Sequence, residues 1–102
     1  MILDRTHFDM MTGADRALQL EVLGLFRMQV EGWRHAFDAP EWRDAVHTLK
    51  GSARGIGLTA LAAACEAAEN AADSEREGAM TGVRQALAEA LAALEQFAAE
   101  AA

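Results

Sequence analysis

The chain has no tyrosine, one proline and one cysteine. A lone cysteine excludes an internal disulfide, and a lone proline leaves long stretches free to be helical. Positive charge is scarce as well: nine Lys and Arg stand against sixteen Asp and Glu, for a formal net charge of −7. That balance argues against a nucleic-acid partner, which needs a basic patch able to neutralise several phosphates. There is no secretory-type apolar segment and no apolar run long enough to span a bilayer. No membrane association is expected, and the expected compartment is the cytoplasm. What is present is an alanine-rich, 52% apolar composition, with leucine, glutamate and arginine supplying most of the rest. Such a chain reads as all-α. At 102 residues it is one domain, 1–102, with a single core.

Hydrophobic periodicity and capping residues divide the chain into five helical segments. Asp4 can cap a short helix over about Arg5 to Met11, which Gly13 ends. A long second helix opens at Asp15 or Ala14 and runs to about Phe37, with Leu18, Val22, Leu25, Phe26, Val30, Trp33 and Phe37 as its apolar stripe. Pro40 sits near the first position of a third helix that reaches Ile56 and ends at Gly57. Thr59 is the expected N-cap of a fourth helix to about Asp73, with Leu61, Ala64, Cys65, Ala68 and Ala72 on one face. Asp73–Gly78 reads as an exposed loop. A last helix, about Ala79 to Ala99, repeats Met80, Val83, Leu87, Leu91, Leu94 and Phe97/Ala98 at helical spacing. Four long amphipathic helices with short connections imply an up-down antiparallel four-helix bundle, here with a short extra N-terminal helix.

The densest information lies in the third helix, in the run from Ala45 to Gly57. At ~100° per residue, Trp42, Val46, Leu49, Ala53 and Ile56 form its apolar face. His47, Lys50, Gly51 and Arg54 fall on another face, with Arg43 one turn before the histidine. An imidazole is thus lifted out of the core, set among cations, and followed one turn later by a residue without a side chain. Glycine inside a helix costs ~1 kcal/mol relative to alanine. Keeping one at position 51, in a chain that uses alanine freely, suggests that something approaches the backbone there. The arrangement suits a phosphate carried on His47 and a partner that comes close to it.

His47-Thr-Leu-Lys50-Gly51-Ser-Ala, followed by Gly57, Leu61, Cys65 and Glu69, resembles the histidine-containing phosphotransfer (HPt) domains of multistep two-component relays. The tight motif covers about a quarter of the chain, and helix pattern and length agree over nearly all of it. The resemblance implies a bundle whose histidine accepts a phosphoryl group from a receiver-domain aspartate and passes it to another receiver. It implies response-regulator receivers and a hybrid histidine kinase as partners, and Nε2 as the phosphorylated atom. On that reading Lys50 offsets the phosphate charge from an exposed position, and Gly51 leaves room for the receiver's loops. Arg54 and, more weakly, Arg43 attract an acidic rim on the receiver. No Gly-rich loop followed by Lys-Ser/Thr is present, so the chain does not make phosphohistidine from ATP. No cofactor is expected on the chain, and Mg2+ is expected on the receiver.

The remaining candidates have plainer readings. Cys65 falls on the apolar face of its helix and reads as a small core residue. His7 and His35 read as surface groups, and no two of the histidines and Cys65 have the spacing of a zinc site. Trp33 and Trp42 read as core anchors. Leu20, Leu23 and Met28 fall off the main stripe of the second helix; they either join a receiver-docking patch beside His47 or pack against the first helix. A monomer is expected, since four good helices can close their own core, and the start at Met1 favours a free-standing protein. The competing function is a bundle that docks a receiver or kinase and modulates it without carrying phosphate. An intact His47-Lys50-Gly51 set favours the relay.

Overall fold

The computed structural model describes residues 1–100. Among them are five α-helices: α1 (Arg5–Thr12), α2 (Arg16–Ala36), α3 (Trp42–Ile56), α4 (Thr59–Asn70) and α5 (Arg76–Glu100), with a 3-10 turn over Asp73–Glu75 and no strand. Local chemistry sets most of the boundaries. The Asp4 carboxylate accepts from the His7 amide at 3.0 Å and starts α1. Gly13 and Ala14 turn left-handed, at φ 62° and 57°, to end it. Asp15 then accepts from the Leu18 amide at 3.2 Å and opens α2. At the far end of α3, Gly57 adopts φ 97°, again a left-handed stop.

Three boundaries differ from the sequence-based expectation. Pro40 does not enter α3, because the Trp42 amide is already bonded to the Ala39 carbonyl at 3.1 Å in a preceding turn. Thr59 is the first residue of α4 and not its cap; its hydroxyl and the Ala60 amide both donate to the Met1 carbonyl, at 2.6 and 3.0 Å. The break after α4 falls at Ala71 and Ala72, which are extended. Asp73–Gly78 is therefore mostly helical. The Glu75 carboxylate takes the Ala72 amide at 3.1 Å, and Arg76 reaches back to the Phe37 carbonyl at 3.0 Å.

Helices α2, α3, α4 and α5 pack each against the next, and α5 returns to α2, with α1 resting on α3. One core fills the ring: Phe26, Val30 and Trp33 from α2, Val46, Leu49 and Ala53 from α3, Leu61, Cys65 and Ala68 from α4, and Val83, Leu87 and Leu94 from α5. Helix α1 adds Phe8, whose ring meets Phe97 edge-on with centroids 5.2 Å apart. Cys65 is a buried core residue, and burial, helped by the nearby Glu69 charge, pushes its thiol up to about 12.

The stripe of α2 is rotated from the expected one in its first half. Gln19 and Leu23 face the core, while Leu18 and Leu25 face solvent, Leu25 with 58% exposure. Buried Gln19 is satisfied: its amide donates to the Asp9 carboxylate at 2.8 Å and the Thr12 hydroxyl at 3.1 Å, both on α1. A pattern that ranks leucine above glutamine for burial misses this position, because the partners lie on another helix.

Gly57 is the position where this fold requires glycine. A Cβ there would stand 3.1 Å from both the Asp4 carbonyl oxygen and His7 Cδ2, on a backbone at φ 97°. Gly57→Ala is expected to cost about 1–3 kcal/mol of unfolding free energy. Urea unfolding checks this; an unchanged midpoint would show that the N-terminal segment yields freely.

Candidate functional site

Helix α3 buries Trp42, Val46, Leu49 and Ala53 and turns His47 outward, with 70% of the imidazole side chain exposed. The ring is nevertheless held. Nδ1 lies 3.1 Å from Glu69 Oε2, in the last turn of α4. The other oxygen of the same carboxylate, Oε1, is 2.7 Å from Lys50 Nζ. Because Lys50 follows His47 by three residues, both reach the same side of α3, the side against α4. Glu69 has only 22% of its side chain exposed, and Lys50 only 13%.

The Lys50 hydrogen bond holds the Glu69 carboxyl below the usual carboxylate range; the His47 contact adds to the effect and burial opposes it. An ionised carboxylate can only accept hydrogen bonds, so Nδ1 of a neutral His47 carries the ring proton. Nε2 is left with the lone pair, and it has no partner among the described residues.

Several expectations change here. Lys50 is not exposed: its ammonium is mostly buried against Glu69. Arg43 leans toward the end of α4. Its guanidinium stacks 4.5 Å above the Trp42 ring and donates to the carbonyls of Glu69 and Ala71, at 3.3 and 3.0 Å, and to Asp73 at 3.2 Å. Arg54 pairs with Glu66 of α4 at 3.4 Å. All three cations lean across one seam toward α4 carboxylates or the end of that helix. The periodicity placed them correctly on α3, but it carried no information about the helix opposite.

Leu20 and Leu23 do not form the patch beside His47. Leu23 is in the core, and Leu20 lies on the flank of α2 near Arg27, which pairs with Glu95 of α5 at 3.3 Å. The apolar surface on the α3 side is an open groove formed by Val22, Leu25 and Phe26 of α2, Met11 of α1, and Gly55 and Ile56 of α3. Met28, 79% exposed, stands one turn beyond Leu25. Gly51 separates His47 from this groove, and a Cβ at 51 or 55 would meet nothing within 4 Å. The fold itself therefore does not require either glycine. His7 and His35 are exposed; His7 Nε2 is 3.1 Å from the Gly55 carbonyl oxygen. No three His, Cys, Asp or Glu residues among those described cluster as a metal site would, and no described helix is long and apolar enough to cross a membrane.

The residue that sequence reasoning left without a role is Glu69. The available signal was the i, i+4 run Leu61–Cys65–Glu69, which puts a carboxylate at the end of a buried face, where a charge needs a partner.

A helical bundle with one outward imidazole, oriented from behind by a carboxylate, is an architecture suited to carrying a phosphoryl group. A family model for the Hpt domain matches residues 9–100, and the chain belongs to the Hpt domain family. Its role is in histidine phosphotransfer within two-component systems, as a phosphocarrier and not a kinase. No curated protein and no solved structure matches the chain.

The depressed Glu69 carboxyl contributes stability that is present above its unfolded value and lost as pH falls through its folded one. Stability should therefore decline as pH drops below the ordinary glutamate value of 4.5, and Glu69→Gln should flatten that decline. Urea midpoints measured across the acid range check this. Identical acid slopes for the two proteins would remove the pair from the stability balance.

Proposed function

We propose that His47 is the phosphorylated residue of this domain, taking a phosphoryl group from a receiver aspartate and returning it to another receiver. The observation that carries the reading is the hydrogen bond from Nδ1 to Glu69, which leaves Nε2 as an exposed nucleophile. In the step itself the Nε2 lone pair forms the N–P bond while the acyl phosphate P–O bond breaks, and the aspartate carboxylate leaves. The ring then carries positive charge, shared with an Nδ1–H that already points at a carboxylate. Glu69 thus supports the developing imidazolium as well as the tautomer. Lys50 supports the step from behind, by keeping Glu69 ionised and in place. The receiver's acidic pocket supplies the Mg2+ and the remaining charge stabilisation, and a hybrid histidine kinase supplies the phosphate.

Docking falls on the α2 side of His47. There Gly51 and Gly55 leave a flat strip beside the groove of Met11, Val22, Leu25 and Ile56, and exposed Leu25 and Met28 add apolar side chains to it. Short connections between consecutively packed helices support an up-down antiparallel order for α2–α5 in a single monomeric domain, and receiver partners imply work in the cytoplasm.

The test is to mix the protein with an acetyl-phosphate-charged receiver and assay for an acid-labile, alkali-stable phosphoprotein. Loading should occur on the wild type and vanish in His47→Ala; equal loading of the variant would refute the site. Gly51→Gln should stabilise α3 by up to about 1 kcal/mol while slowing transfer at least tenfold, because its side chain occupies the strip. Undiminished transfer in that variant would mean that the receiver approaches from elsewhere.

A further inference from the structure

We infer that the receiver this domain serves presents an apolar docking face with a basic rim. The inference rests on the relay reading of His47 and adds the chemistry of the partner.

Cations are few, and none of the Lys or Arg side chains is without an acceptor. The chain has nine Lys and Arg in a formal charge of −7, and each has an acceptor. Arg5, Arg27, Arg34 and Arg84 pair with carboxylates. Arg43, Lys50 and Arg54 pair across the α3–α4 seam, and Arg16 and Arg76 donate to main-chain carbonyls. The carboxylates around the docking strip are in the opposite condition. Asp44 is exposed and has no cationic partner among the described residues. It lies one turn before His47 and about 60° round α3 from it, toward α2, on the same strip as Gly51. Glu41, at the N-cap of α3, is exposed and likewise unpaired. On α2, exposed and unpaired Glu21 precedes the groove residue Leu25 by four, one helical turn away on a neighbouring position of the surface.

An approaching receiver therefore meets apolar side chains and two glycines bracketed by free negative charge. Complementary potentials speed encounter and reject wrong partners. The face that fits is apolar in its middle and carries Lys or Arg at its edge.

The experiment uses the full chain and whichever receiver, from a panel charged with acetyl phosphate, loads His47 fastest. Initial transfer rates are measured at low and high ionic strength. The rate should fall as salt rises. Asp44→Lys should slow transfer roughly fivefold at low ionic strength and converge on the wild type at high ionic strength. Glu89→Lys makes the same change in net charge on α5, away from the strip, and should have a much smaller effect. Asp44 also sits in the first turn of α3, where a carboxylate favours the helix. Should the lysine variant melt early, Asp44→Asn, which removes the charge without reversing it and should melt closer to the wild type, should still slow transfer about twofold. A rate that is insensitive to salt or rises with it, a faster Asp44→Lys, or equal effects of the two lysine variants would overturn the basic-rim assignment while loading of His47 leaves the relay intact. Failure of every receiver to load the wild type would sink the relay itself and this inference with it.

Discussion

One carboxylate organises the working surface. Glu69 reaches from the last turn of α4 to α3 and divides its two oxygens between His47 and Lys50. A mostly buried carboxylate needs a cation, and Lys50 supplies it at 2.7 Å from within the same sheltered seam. The ionised state that results fixes the tautomer of the imidazole, so the lone pair faces solvent on Nε2. Orientation of a histidine by a carboxylate behind it is a general solution wherever a ring nitrogen must act as nucleophile or base. Here it also joins two helices, so the orientation of the His47 ring and the packing of α3 against α4 are one constraint.

That constraint determines where positive charge goes. Arg43, Lys50 and Arg54 all lie on the side of α3 that faces α4, and all three are tied there. The exposed pairs of Arg43 and Arg54 add little stability each, within about 0–1 kcal/mol, while Lys50–Glu69 is sheltered. Their larger consequence is to leave no uncommitted cation beside His47. On the docking proposed above, recognition is left to shape and apolar area, with the free carboxylates setting its sign. Two glycines on the outer face of α3 keep the proposed strip flat, and leucines turned outward on α2 would supply the contact.

The helices and the outward histidine were legible in the sequence because they rest on periodicity within one element. His47 stands well away from Trp42, Val46, Leu49 and Ala53 on the helical wheel, and no tertiary contact changes that. The first half of α2 was not legible, since the burial of Gln19 depends on Asp9 and Thr12 of α1. The contacts of Lys50, Arg43 and Arg54 were not legible for the same reason: a helical wheel gives the direction of a side chain and not its neighbour. Glu69 was visible as part of a spacing, but its function exists only once α4 lies against α3. What one helix decides by itself can be read from the chain, and what two helices decide together requires the packing.

Helix α4 shows how far that dependence extends. Neither end has a cap of its own: Leu58 offers no side-chain acceptor at the start, and Ala71 no glycine at the finish. Both ends are capped by other parts of the chain. The Met1 carbonyl takes the Ala60 amide at the N-terminus, and the Arg43 guanidinium takes the Glu69 and Ala71 carbonyls at the C-terminus. Between these ends the helix buries Leu61 together with the small side chains of Ala62, Cys65 and Ala68, which allow close approach to α3. The contacts at its ends add to that packing. Arg43 fastens the turn that presents Glu69 to His47, with Trp42 as the platform beneath its guanidinium. An arginine with no contact to the imidazole thereby helps to set the position of the carboxylate that orients the His47 ring.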